Sequence, residues 1–449
     1  MKQENSKAEE LLEQGMSYFE NDEYEEARPY LKQAAELGLL EAQCMYIIDL
    51  LVISEESGKD FSSEVKKYVN LIRNAANQGD PDGQACLAML YEEGFGVSED
   101  MKTAVKWYQK AADQGNAGAQ SKLGECYYLG KGVAENDAKA VKWFQKSADQ
   151  GNADAQYYLG ECYYFGNGVA ENDAKAVKWF QKSADQGNAD AQYYLGECYY
   201  FGNGVAENDA KAVKWFQKSA DQGHDYAQYN LGECYYSGKG VAENDAKAVK
   251  WFQKSADQGN ADAQCRLGNC YLCGNGVLKN EQKAASFYQK AANQEHAKAQ
   301  YLLGDCYQFG RGIEKDFRKS IEWYKKSMDN GYYELDVYDS ISFALLSIIW
   351  EMKKNGVSFQ KIARSKELAE GIQYAEYAIN HFDCENAEDG DIYDTLAELY
   401  RYKNLDRALD YAEHAVALGV EGADETLQDL RSVNGTFGNI GRFLSGIFD

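Results

Sequence analysis

Apolar and small residues fall at helical spacing along most of this chain, and the spacing itself repeats. Residues 152–187, NADAQYYLGECYYFGNGVAENDAKAVKWFQKSADQG, recur without a change at 188–223. On a helical wheel of 189–201, Ala191, Leu195, Gly196 and Tyr199 share one arc, which predicts a face packed on neighbouring helices. Gly202-Asn203-Gly204 reads as a turn, and 209–222 as a second helix closed by Gly223. Asn208 is its expected N-cap, as are Asp100 and Asp316 in their own units, because each side chain can accept from free N–H groups at a helix start. Closing glycines at 79, 115, 151, 187, 223, 259 and 331 hold this phase, and Glu295 alone breaks it. Seven such units therefore run through residues 80–331.

Outside that array the phase is looser. Residues 1–38 predict a helical hairpin, with Pro29 near the start of its second helix, where a missing N–H is tolerated. Residues 39–79 predict a divergent hairpin with a lengthened connection around 54–63. The C-terminal region, 332–431, reads as a long buried helix over 336–354, a single helix over 358–381 and a hairpin over 391–419. Residues 432–449 form a Gly-rich tail with apolar Phe437, Ile440, Leu444 and Ile447, expected to cover the last hairpin. With only two prolines and abundant helix formers, the class is all-α.

These residues carry a resemblance to a known family. The pattern Ala191, Leu195, Gly196, Tyr199, Gly202, Gly204, Val205, followed by Lys211, Ala212, Trp215, Phe216, Lys218, Ala220 and Gly223, resembles the Sel1-like repeat, a relative of the tetratricopeptide repeat. The hairpin with Gly15, Tyr18, Ala27 and Leu31 resembles a tetratricopeptide unit, as does the one with Leu396, Ala397, Tyr400, Ala408 and Gly419. The resemblance implies a right-handed α-solenoid of stacked antiparallel helix pairs and adaptor work, including engagement of host proteins in host-associated bacteria.

Charge narrows the partners. A formal net charge of −25 argues against nucleic acid, which needs a basic face, and favours a basic peptide or protein segment. The most apolar run, 341–350, falls short of the roughly 20 residues of a membrane helix. The first residues, MKQENSKAEELLEQ, lack the basic and apolar regions of a signal peptide. Six of the eleven cysteines recur once per repeat, at 126, 162, 198, 234, 270 and 306. Equivalent positions in stacked helices lie about 8–10 Å apart, too far for a disulfide. Together these features give the expectation of reduced thiols and a cytoplasmic location.

The candidate site is a stripe on the first helices: Tyr157, Glu161, Tyr164, then Tyr193, Glu197, Tyr200, then Tyr229, Glu233, Tyr236. In a tetratricopeptide-like solenoid this face lines the concave surface, and rings with carboxylates between them suit Lys or Arg. Mutual packing of the tyrosines between helices explains the stripe equally well. Ser121, Cys265 and Gln308 interrupt it. Near-identical repeats suit a multivalent ligand.

Other motifs have simpler expectations. Cys265, Cys270 and Cys273 lack a second element able to complete a zinc site. His224 and His296 replace an Asn and are expected at the surface. Trp143, Trp179, Trp215, Trp251 and Trp323 are expected in the core, and the Lys139, Lys142, Lys146 series is expected to be a solvated face. Gly130-Lys131-Gly132 lacks the strand and Gly-Lys-Ser/Thr of a phosphate loop. The reading is a non-enzymatic protein-binding scaffold without cofactor or metal. A structural spacer, a host-interaction effector, and an enzyme with an acidic or nucleophilic pocket in 336–431 are the alternatives.

Overall fold

The computed structural model describes residues 2–19, 23–57, 59–382, 384 and 390–433. The chain is all-α, an α-solenoid of antiparallel helix pairs, with no strand among the described residues. It divides into two compact units, residues 1–227 and 228–449.

In the first unit the pairs are Lys2–Phe19 with Tyr24–Glu36, Leu40–Ser57 with Ser62–Asn77, Pro81–Glu93 with Met101–Asp113, Ala117–Leu129 with Asp137–Asp149, Ala153–Phe165 with Asp173–Asp185, and Ala189–Phe201 with Asp209–Asp221. The second unit continues with Asp245–Asp257, Ala261–Cys273 with Glu281–Asn293, and Ala297–Phe309 with Phe317–Asp329. After these come Leu335–Lys354, Phe359–Ile362, Lys366–His381 and the pair Asp391–Tyr400 with Leu405–Leu418. The expected tail lies almost entirely outside the described residues.

In the repeats from residue 117 to residue 329 each pair closes around one aromatic ring. Phe216 is buried between its two helices, and a Cβ built on Gly196 would lie 2.6 Å from its Cδ1. The same glycine–ring contact joins Gly124 to Phe144 and Gly160 to Phe180, and in the second unit Gly232 to Phe252 and Gly268 to Tyr288. The tryptophans expected in the core are instead half-buried at its edge, and the adjacent phenylalanine fills the centre. Both residues sit on the same helix, one position apart, so only one of them can point straight at the partner glycine.

A polar ladder runs beside this apolar one. Gln156 is buried, donates to the Ala148 carbonyl at 3.1 Å and accepts from Gln186 at 2.8 Å; Gln192 does the same with Ala184 (3.1 Å) and Gln222 (2.8 Å). The ladder satisfies carbonyls that a helix end leaves without an intrahelical donor. Asn208 accepts from the Lys211 N–H, Asp100 from that of Thr103, and Asp316 from those of Arg318 and Lys319, as their sequence positions predict.

Four local features depart from expectation. Pro29 lies well inside the helix Tyr24–Glu36, not at its start. The helix Leu40–Ser57 takes in the first residues of the stretch expected as a loop, and Ser62–Asn77 begins before that stretch ends, so the helices are longer and the connection shorter than expected. The expected single helix over 358–381 is broken, because the Ser365 side chain accepts from the Leu368 N–H and starts a new helix. His224 and His296 are N-caps: their Nδ1 atoms accept from Ala227 and Ala299, while Nε2 meets Asp190 at 3.3 Å and Asp262 at 3.1 Å.

Glu295 occupies the left-handed region at φ 63°, where the other repeats place glycine. The expected outcome of Glu295→Gly is a gain of about 1 kcal/mol, because a side chain at positive φ is strained. Gly196→Ala should lose about 1–3 kcal/mol by driving a methyl group into the Phe216 ring. Chemical denaturation of the two variants beside the parent chain checks both signs.

Candidate functional site

Half of what builds the stripe is packing. Tyr157 has ring contacts with Tyr158 at 5.0 Å, Phe180 at 6.3 Å and Tyr194 at 6.0 Å. Tyr193 meets Tyr194 at 5.2 Å, Phe216 at 6.1 Å and His224 at 4.7 Å. The Tyr164 hydroxyl accepts from Asn203 of the following repeat at 2.9 Å. All nine stripe residues are nevertheless partly exposed, so the packing leaves an accessible face. Phe165 and Phe201, 51% and 61% exposed, widen that face; each lies 5.0 Å edge-on from the neighbouring Tyr164 or Tyr200. Their signal in the sequence was a large apolar residue at the last position of several first helices, Leu129, Phe165, Phe201 and Phe309, next to the turn glycine.

The carboxylates between the rings are poorly solvated. Burial, then the nearby Asp190, pushes the Glu161 carboxyl up to about 7. Burial likewise raises Glu125 and Glu233. Glu125 is paired with Lys122 at 3.1 Å. Glu197 accepts a hydrogen bond from Tyr193, which raises that phenol further after burial has done so.

In the second unit one stripe element already holds a cation. Arg266 Nη2 lies 2.7 Å from Glu233 Oε2, its guanidinium carbon is 5.8 Å from the centre of the Tyr236 ring, and it hydrogen-bonds Tyr229. The position equivalent to Arg266 beside Tyr157, Glu161 and Tyr164 is Tyr194, a wall without charge. Tyr229, Glu233 and Tyr236 thus surround an arginine of the chain itself, whereas Glu161 has Asp190 as its charged neighbour.

Of the lysines expected to be merely solvated, Lys139 and Lys146, and Lys175 and Lys182 one repeat on, cap aromatic rings, while Lys142 is exposed. Lys146 Nζ is 3.9 Å from the Trp143 ring centre and Lys182 is 3.8 Å from that of Trp179, while Lys139 and Lys175 lie 4.9 and 4.8 Å from Tyr127 and Tyr163. Each contact contributes about 0.5–1 kcal/mol at an exposed site. On this face the lysines sit over rings, whereas on the first-helix face Glu161 has an acid, Asp190, as its charged neighbour.

The C-terminal region adds acids that sequence reasoning missed. Burial, then Asp391 and Asp336, pushes Asp339 up to about 7, and burial also raises Asp391 and Asp394. Asp339 Oδ1 and Asp394 Oδ1 are buried without a hydrogen-bond partner. Asp305, reached by the Tyr324 hydroxyl at 2.7 Å, rises to about 6 by burial. Asp339, Asp391 and Asp394 carried no sequence signal because 36-residue phasing is lost after residue 331 and the three come from two helices far apart in sequence.

Cys265 and Cys270 are buried and Cys273 is exposed, so the three thiols do not converge. Among the described residues no group of three or more His, Cys, Asp or Glu could hold a metal ion. Burial pushes the repeat thiols Cys162 and Cys198 up to about 12, which keeps them protonated at neutral pH. No helix of the described residues is long and apolar enough to cross a membrane.

Comparison with known proteins agrees with this geometry. The Sel1 repeat family matches residues 7–39 and, without interruption, seven segments from 81–116 to 297–332. The first hairpin, which resembles a tetratricopeptide unit in sequence, is thus matched as a Sel1 repeat. A protective antigen with an SLR fold from uropathogenic Escherichia coli is 28% identical, with a TM-score of 0.61 and 90% of both chains covered. A Sel1 repeat protein from Oxalobacter formigenes is 32% identical over 68% of this chain and 86% of its own, with a TM-score of 0.49. No curated protein matches. Sel1 repeats in general serve as protein-interaction scaffolds. The ring-into-glycine contacts, the closing left-handed position and the matched segments together place this chain in the Sel1 repeat family.

Proposed function

We propose that this chain is a non-enzymatic scaffold that holds a basic peptide or protein segment on its first-helix face, with arginine the preferred contact. The observation that carries this reading is Arg266: a guanidinium set between Glu233, Tyr229 and Tyr236 of its own chain displays how a Tyr-Glu-Tyr element takes a cation. Guanidinium is planar, stacks on rings and donates in a fixed fork, so it fits this element better than an ammonium. Glu161 stands in an element of the same residues without such a cation, and Tyr157 and Tyr164 flank it. A partner's arginine would supply the missing charge there, and Glu197 with Tyr193 and Tyr200 offers a second position. The desolvated Asp339 and Asp394 offer the second unit its own basic-segment contacts. We place the work in the cytoplasm, where buried thiols of this kind stay reduced.

Binding of a fluorescent arginine-rich peptide to the full chain tests the reading. Glu161→Gln keeps the shape of the side chain, so it should weaken binding about tenfold, or ~1.4 kcal/mol, while lysine-rich peptides bind less tightly than arginine-rich ones. Binding that is indifferent to Glu161 and to salt would overturn it. The tyrosines are poorer probes, since their rings support the stack and Tyr157→Ala would lose packing as well as contact.

The same carboxyl makes a stability prediction. Its pKa in the fold, about 7, lies above the ordinary glutamate value, so its contribution is present below that ordinary value and is lost as pH rises toward 7. The melting temperature should therefore fall between pH 5 and pH 8, and Glu161→Gln should make the fall shallower. Thermal unfolding of both proteins across that range reads the difference.

A further inference from the structure

In the first unit two repeats lack the rings that their neighbours stack. Tyr157 and Tyr158 correspond, one repeat earlier, to Ser121 and Lys122, and one repeat before that to Ala85 and Cys86. The consequence is visible in the ring ladder. Phe144 is stacked by Tyr158 at 5.0 Å and 11°, and Phe180 by Tyr194 at 5.3 Å and 12°. Tyr108, which occupies the place of these phenylalanines in its own repeat, has no ring neighbour among the described residues. Where the rings are missing, a cavity of about 670 Å³ opens on the first-helix face, with Tyr108, Ser121, Lys122, Met45 and Met89 in its wall.

Two further observations point to a ligand. Ser121 is only 3% exposed, lines the cavity, and its Oγ is a buried hydroxyl without a hydrogen-bond partner. A hydroxyl in that state is costly to leave unmade, about 1–3 kcal/mol, and its natural partner is a polar atom arriving with a guest. The charge of the wall is also one-sided. Glu41, Asp82, Glu125 and Asp154 line it, against Lys122, which is already paired with Glu125.

We infer that this cavity is an anchor site for an aromatic side chain carried on a peptide segment next to a basic residue. The guest ring restores on this side of the stack what Tyr157 and Tyr158 supply in the following repeat. Ser121 Oγ hydrogen-bonds a backbone carbonyl or a ring hydroxyl of the guest, and Asp82 and Asp154 meet its basic neighbour. The apolar share comes from the two methionines, whose flexible thioethers adapt to a ring. This site extends the scaffold reading to a second contact chemistry and is independent of Glu161. An aromatic anchor set in a pocket, with charges around it, is the arrangement that concentrates affinity at protein interfaces.

The test fills the cavity from within. Ser121→Tyr and the double variant Ser121→Tyr/Lys122→Tyr place at these positions the residues that the next repeat already accommodates. Calorimetric binding to the full chain is measured with three peptides of the same length: one with a central Trp between two arginines, one with Leu in place of the Trp, and one with glutamines in place of the arginines. The Trp-Arg peptide should bind at least tenfold tighter than either control and lose that advantage in both variants, whereas in Glu161→Gln its advantage over the Leu peptide, which depends on the ring alone, should remain. A melting temperature equal to or above that of the parent shows that the variants are folded. Equal binding of the Leu peptide, or Trp-Arg binding untouched by folded Ser121→Tyr, overturns the assignment. Loss of arginine-peptide binding in Glu161→Gln with the cavity variants unaffected would instead support the stripe and reject the cavity.

Discussion

The contact between one aromatic ring and one glycine is what the rest of this molecule depends on. Because Gly196 carries no side chain, the Phe216 ring can lie against the first helix, and the two helices of a pair come close enough to bury Ala191, Leu195, Ala212 and Ala220. That closeness leaves little room for polar atoms, so those that remain must be matched. The Gln156–Gln186 and Gln192–Gln222 pairs do this and also tie each first helix to the end of the helix before it. Stacking is thus over-determined by an apolar and a polar device with the same period, which makes each repeat a copy of its neighbour.

Such regularity gives the substitutions within it their meaning. When a ring position becomes Ser121 or Lys122, the backbone does not collapse to fill it, because Leu123 and Gly124 hold their places. A cavity remains. When the position equivalent to Tyr194 becomes Arg266, the chain gains a cation that its neighbouring carboxylate accepts. Where no cation is present, burial and then Asp190 raise Glu161, and the cost of holding a half-desolvated carboxylate stays in the fold until a partner offsets it.

Much of the fold was legible because period 36 and period 3.6 reinforce one another: the caps Asn208, Asp100 and Asp316 and the closing Gly223 all stand where the sequence places them. What was not legible depends on which of two adjacent residues points inward. Trp215 and Phe216 are equally apolar on a wheel, yet Phe216 takes the centre and Trp215 the edge, with Lys218 4.0 Å from its ring. His224 looked like an ordinary surface substitution for Asn, although its Nδ1 does the same capping work. The stripe itself was visible by spacing, but its double nature was not, since Tyr157 both packs and faces outward. The acids Asp339, Asp391 and Asp394 were invisible because only tertiary packing brings the helices Leu335–Lys354 and Asp391–Tyr400 together.

If the first-helix carboxylates are held partly protonated by burial and await a cation, then binding must displace protons. The direct measurement is the heat of binding of an arginine-rich peptide at pH 7 in two buffers of different ionisation enthalpy, which counts protons released. The predicted result is a net release that disappears at pH 9 and shrinks in Glu161→Gln. Equal heats in both buffers at pH 7, with tight binding intact, would contradict the account.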